Sequence, residues 1–139
     1  MSNLNEDQFG AYRMGHRPDD TGPPMHDVES FYPNIYERPE LYNNGGRDNR
    51  AKYTESLQHI QQVKGKPDAP VTMYRAVPKG VTSINPGDWV STSRIHATQE
   101  GTHPTDPKQD MPVISQKVRA KDLRTPGDDV NEWGYYPQK

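Results

Sequence analysis

The sequence predicts an α+β domain: a small, twisted antiparallel sheet system with one main helix. Three observations carry that expectation. β-rich runs recur between Pro- and Gly-bearing turns from Val71 to Tyr136. One stretch, Asn49 to Lys64, has helical spacing. At 139 residues, 29% hydrophobic, with 14 prolines and 11 glycines, the chain is long enough for one domain but points to a modest core and an extended arm.

The arm is residues 1 to 48, in which Pro18, Pro23, Pro24, Pro33 and Pro39 exclude a regular element longer than two turns. Its aromatics, among them Phe9 and Tyr12, distinguish it from an ordinary disordered tail. Phe31, Tyr32, Ile35, Tyr36, Leu41 and Tyr42 are expected to pin it across the core domain, residues 49 to 139; a free tail is the alternative for residues 1 to 25. Such an arm is placed to act as a lid or an interface.

The helix is expected to open on an Asp48 or Asn49 cap and to end at Gly65 before Pro67. Tyr53, Leu57, Ile60 and Val63 or Lys64 form a narrow apolar stripe, leaving His59 among the solvated residues. The first strand, Val71 to Val77, lies between Pro70 and Pro78-Lys79-Gly80 and carries Arg75 as its charge. A turn at Asn85-Pro86-Gly87-Asp88 leads into Trp89-Val90-Ser91-Thr92-Ser93, bringing the Ser91 and Ser93 hydroxyls toward Arg75. A short helix over Ile95–Glu100, a Pro-broken loop over Thr102–Met111, a strand over Val113–Val118, a turn or strand at Asp122-Leu123-Arg124 and a last strand over Asn131–Tyr136 complete the chain.

Composition narrows the function classes. Without cysteine there are no disulfides, zinc thiolates or thiol catalysis, in keeping with a cytoplasmic protein. No apolar run suits a membrane span, and Met1-Ser2-Asn3-Leu4 lacks the features of a signal peptide. A formal net charge of −2 argues against non-specific duplex binding. Lys117, Arg119, Lys121 and Arg124 form a local basic run that solvation explains as well as nucleic acid does. His16, His26, His59, His96 and His103 have no ligand-like spacing, so no metal site is expected; His96 and His103 flank the hydroxyl strand and stand as second-rank site candidates.

What remains is an ordered set: Arg75 on one strand, Ser91-Thr92-Ser93 behind Trp89 on another, and Glu132 late in the chain. Such a set suits a nucleotide sugar. A guanidinium grips pyrophosphate in bidentate fashion, hydroxyls hold a ribose, and a carboxylate beside the sugar C1 stabilises an oxocarbenium-like transition state. The pattern resembles the Arg / Ser-Thr-Ser / Glu motif of the ADP-ribosyltransferase superfamily, through Tyr74-Arg75-Ala76, a Gly-Asp turn, Trp89 to Ser93 with Ala97 following, and Asn131 to Pro137. It is also similar to small proteins of actinobacterial phages, with an Ala11-Tyr12-Arg13-Met14 opening and a terminal Glu132-Trp133-Gly134-Tyr135.

The resemblance implies a compact split-sheet fold and NAD as a substrate. It implies Glu132, Arg75 and Ser91 as catalytic residues, and Arg75, Tyr74, Ser91, Thr92, Ser93, Trp89 and Trp133, with Tyr135 as a further candidate, around NAD. The acceptor would be a host protein or nucleic acid, with no membrane involved. Two features depart from the pattern. Where the family has a polar, acceptor-selecting residue two before the glutamate, this chain has Val130, with Asp128, Asp129 or Asn131 as substitutes; and the spacing from Arg75 to Ser91 leaves no room for the helix found between them in many members. Three functions follow: an NAD-dependent mono-ADP-ribosyltransferase, a non-catalytic binding or virion-associated module on the same fold, and a nucleic-acid-binding protein.

Overall fold

Strand β1 (Pro70–Ala76) pairs antiparallel with β3 (Val113–Arg119) along its length, from Pro70 opposite Arg119 to Ala76 opposite Val113, in a computed structural model that describes residues 17–127 and 129–138. Alternation of buried Val71, Met73 and Arg75 with half-buried Thr72 and Tyr74 is what a strand with one covered face requires. The second sheet has the order β2-β5-β4, in which β2 (Trp89–Val90) and β4 (Leu123–Arg124) flank β5 (Trp133–Tyr135), all antiparallel. One bridge joins the two sheets: Tyr74 and Ser91 exchange backbone hydrogen bonds of 2.7 and 2.9 Å. The α+β class with small antiparallel sheets is as expected, and no helix separates β1 from β2.

Helix α1 (Gly46–Gln62) begins before the expected cap. Asp48 sits in its first turn, where a carboxylate complements the dipole, and no side chain caps its N-terminus. The helix ends at Gln62 with Val63 as its C-cap, ahead of the expected Lys64, and Gly65 follows in the turn with a positive φ of 71°, donating its N–H to the His26 carbonyl. Leu57, Ile60 and Val63 are buried along the predicted stripe with Tyr53 partly covered. His59 corrects the expectation of a solvated residue; it is half-buried, and desolvation holds its pKa below the usual 6.5. Helix α2 (Arg94–Gly101) extends the predicted Ile95–Glu100 by one residue at each end and packs on β1.

The turn before β2 forms as read: Asp88 N–H bonds the Asn85 carbonyl at 3.0 Å and Gly87 has φ 89°, a type II arrangement with Pro86 at its second position. The predicted turn or strand at Asp122 is both, a 3₁₀ turn (Ala120–Asp122) running into β4.

Within the described part of the arm the longest regular element is the 3₁₀ turn Pro39–Tyr42. Residues 17–25 are not a free tail: Met25 is fully buried, Pro24 bridges Arg124, and the Tyr136 hydroxyl donates to the Pro18 carbonyl. Four of the expected pins hold, Tyr32, Ile35, Tyr36 and Tyr42, and Met25 and Val28 join them. Met25, Val28, Tyr32 and Ile35 enter the same apolar cluster as Ile60, Leu123 and Trp133, with Tyr36 and Tyr42 against it. Phe31 and Leu41 stay 46% and 52% exposed, so they are not pins. The Ala11-Tyr12-Arg13-Met14 opening, Phe9 and His16 lie outside the described residues. Among the described residues no helix is long and apolar enough to cross a membrane.

Candidate active site

The sheet junction places the ordered set. Tyr74 bridges Ser91, and Val90 pairs with Trp133; that antiparallel register, continued one residue, sets Glu132 opposite Ser91. A cleft lies there, lined by Tyr74, Arg75, Trp89, Ser91 and Glu132 together with residues of α2. Its α2 wall is His96, Ala97 and Glu100.

Other predicted site residues lie elsewhere. Thr92 and Ser93 are fully buried and do not line the cleft. Ser93 is the N-cap of α2, its hydroxyl accepting from His96 N–H at 3.1 Å, while Ser91 Oγ accepts from Ser93 N–H at 2.9 Å. Both hydroxyls thus shape the entry into α2, and Ser91 alone of the three faces the cleft. Trp133 is fully buried in the core, its indole N–H donating to the Val130 carbonyl at 3.0 Å. Tyr135 belongs to the same core cluster. β5 alternation explains this: one residue past Glu132 the side chain turns inward.

Arg75 is 6% exposed and already engaged. Its Nη1 donates to the Trp89 carbonyl, and its Nε stands 3.7 Å from Asp88 Oδ2, which also accepts the Asn85 N–H at 2.8 Å. The guanidinium therefore fastens the β1 edge to the turn before β2 as well as reaching the cleft.

Glu132 sits just before β5 rather than on it. Its turn is clamped: Glu132 N–H bonds the Asp129 carbonyl at 3.2 Å, Asn131 donates twice to Asp129 Oδ1, and Ser56 of α1 donates to Asn131 Oδ1 at 2.8 Å. Asn131 is fully buried in that role, and Val130 lies in the core, so neither offers a polar group to the cleft. Asp129 opens instead toward a recess with Phe31, Tyr42 and Tyr53. Burial, then the Asp129 and Glu132 charges, raise the Tyr53 pKa above 10.0. Asp128 lies outside the described residues.

His96 enters the site and His103 does not. His96 Nε2 is 3.2 Å from Glu132 Oε2, both side chains being mostly buried, and Lys52 Nζ of α1 stands 3.1 Å from His96 Nδ1. His103 Nδ1 accepts the Thr105 and Asp106 N–H groups and organises its own loop. Ligand atoms of His96, Glu100 and Glu132 lie within 4.8 Å of one another, a convergence that histidine spacing alone did not foreshadow. The Lys52 ammonium against the same ring weighs against a second cation there.

Lys52 and Ser56 were not among the expected site residues, and Asn131, expected as a substitute for the acceptor-selecting residue, serves as a clamp instead. The signal for the first two was available: Lys52, Ser56 and Ile60 share one face at i, i+4 spacing, a polar start to an apolar stripe. None of the arm's described residues lines the cleft, so residues 17–48 do not form a lid over it. The basic run is largely engaged: Lys121 pairs with Asp68 at 3.1 Å, Arg119 with Asp122 at 3.4 Å, and Arg124 donates to the Gly22 carbonyl. No protein-family model matches the chain, and no curated protein or solved structure matches it either.

Proposed function

We propose that the cleft binds NAD and cleaves its nicotinamide–ribose bond, transferring ADP-ribose to a host macromolecule on a split-sheet fold of the ADP-ribosyltransferase type. The observation supporting this is the convergence of Arg75, Ser91 and Glu132, distant in sequence, on one cleft at the junction of two sheets. In the reaction the C1–N bond breaks with its electron pair going to nicotinamide. The Glu132 carboxylate stabilises the positive charge that develops on the ribose, Ser91 holds a ribose hydroxyl, and Arg75 faces the phosphates. An acceptor heteroatom then bonds C1 and releases its proton. With Val130 in the core, acceptor choice falls to surfaces beside the cleft.

A non-catalytic binding module is the second reading. The engagement of Arg75 by Asp88 and the Trp89 carbonyl favours it, because a phosphate has to compete for that guanidinium. The nucleic-acid reading is weaker, since most of the basic run already has partners.

Incubation of the purified chain with NAD, with and without bacterial lysate, and assay of free nicotinamide separates the first two. We expect release that Glu132→Gln lowers by about 10²- to 10³-fold while NAD still binds, the loss typical of a missing charge-stabilising group. Arg75→Ala should weaken NAD binding itself. An absence of release under both conditions overturns the enzymatic reading and favours the binding module.

A further inference from the structure

The geometry points to Lys52 and His96 as a positioning pair that fixes the Glu132 carboxylate, an inference that deepens the proposed NAD-cleaving reading and rests on it for its kinetic consequence. Lys52 Nζ lies 3.1 Å from His96 Nδ1 and donates to Gln99 Oε1 at 2.9 Å, so the ammonium is held between α1 and α2. An ammonium has three donors and no acceptor, whereas a neutral imidazole has one nitrogen of each kind. Facing Lys52, Nδ1 must accept. The ring's proton therefore resides on Nε2, which is 3.2 Å from Glu132 Oε2 and donates to it.

The result is a directed chain, Lys52 to His96 to Glu132, anchored at three points. His96 is oriented through its backbone as well, because its N–H is the group that Ser93 caps. The Glu132 backbone is held by its N–H on the Asp129 carbonyl and by its neighbour Asn131, which Ser56, four residues after Lys52 on α1, anchors. One helix face thus supports the carboxylate through His96 and the turn that carries it through Asn131. With Nε2–H on one oxygen, rotation of the carboxylate is restricted. The pair acts through Glu132 and leaves the ribose contact to it.

The test is side-chain NMR on the full ¹⁵N-labelled chain, using long-range proton–nitrogen correlations of the imidazoles, with His96→Leu to assign the signal. We expect His96 as the Nε2–H tautomer, a shift toward Nδ1–H in Lys52→Met, and faster exchange of the Nε2 proton with water in Glu132→Ala. An Nδ1–H tautomer in the wild type, or a tautomer indifferent to Lys52→Met, overturns the pair. Kinetics supply the second arm. Lys52→Met and His96→Leu should lower kcat for nicotinamide release between about 10- and 100-fold, the range a misplaced catalytic group costs, with KM for NAD nearly unchanged. His96→Gln, whose amide N–H can replace Nε2–H, should recover part of the loss. Equal losses in kcat for His96→Gln and His96→Leu count against positioning. If the wild type releases no nicotinamide, the NAD reading falls, and the tautomer and exchange results decide the pair by themselves.

Discussion

Residues 17–45 and the cleft around Glu132 differ in what holds their side chains in place. Along the arm, Met25, Val28 and Ile35 are fully buried, and the order comes from apolar side chains entering a common cluster. Polar contacts there are tethers: the Tyr32 hydroxyl meets Thr125 Oγ1 at 2.9 Å, and the Tyr42 hydroxyl donates to the Pro33 carbonyl at 2.7 Å. Around the cleft the buried groups are Arg75, Ser91, Ser93 and His96, and each is fixed by a directed bond. Apolar burial scales with area and tolerates changes of angle. Hydrogen bonds among buried polar groups do not, so the arm should fail by losing stability and the cleft by losing geometry.

The largest effect expected on stability lies in the arm. Ile35→Ala should cost about 2–5 kcal/mol, the transfer of a buried aliphatic side chain plus the cavity left behind. Leu41→Ala, at a 52% exposed position close by, should stay within about 0.5 kcal/mol. Urea denaturation of the two variants measures the contrast, and similar midpoints would mean that the arm is not part of the cooperative core.

A smaller stability change with a larger local consequence belongs to the cleft. Ser93→Ala removes the α2 cap and should cost about 1 kcal/mol. Because the freed donor is the His96 N–H, the ring should also lose its alignment on Glu132. Ser93→Thr keeps a capping hydroxyl at this fully buried position and should restore most of the stability. If Ser93→Ala left the His96 imidazole signals unmoved, the cap and the cleft would be independent, and the contrast with the arm would weaken.

Legibility in the sequence followed the same division. Strands β1 and β3, the Asn85–Asp88 turn, the Gly65 turn after α1 and the extent of α2 were readable, because periodicity and turn chemistry are local. The start of α1 was not, since Gly45 caps it without a side chain and Asp48 offered a better-looking signal. Aromatic content marked the arm as ordered, but which residues point inward depends on turns that no simple period describes; Phe31 is exposed while its neighbour Tyr32 is buried. At the site, the order Arg75, Ser91, Glu132 was legible as a motif. The roles of Lys52, Ser56 and Asn131 were not: helical spacing put the first two on one face, but the partners that define these roles lie 44 and 75 residues away along the chain. Ser93 was legible as a small hydroxyl in a short run and misassigned, since a strand hydroxyl and a helix cap look alike until the helix start is known.

The smallest effect concerns α1, the helix that serves both regions, with Leu57 and Ile60 in the apolar cluster and Lys52 and Ser56 supporting Glu132. His59 lies between these duties. Desolvation holds its folded pKa below 6.5, with the Glu55 charge partly opposing the shift. The unfolded chain therefore binds the His59 proton more readily than the folded one. Its contribution is fully present above pH 6.5 and is lost as pH falls from there toward the folded pKa, so stability rises with pH across that window. The carboxylates with lowered values, Asp19, Glu40 and Asp106, are exposed and titrate from ordinary values of 3.8 to 4.5 downward, outside it. Thermal unfolding of the wild type and His59→Gln from pH 8 to pH 5 isolates the effect as a difference, which cancels the other histidines. Wild-type Tm should fall more steeply with acidification than that of His59→Gln. Parallel curves would place the cost of α1 burial on its apolar stripe alone, and the helix would then couple arm and cleft through packing without a titrating group between them.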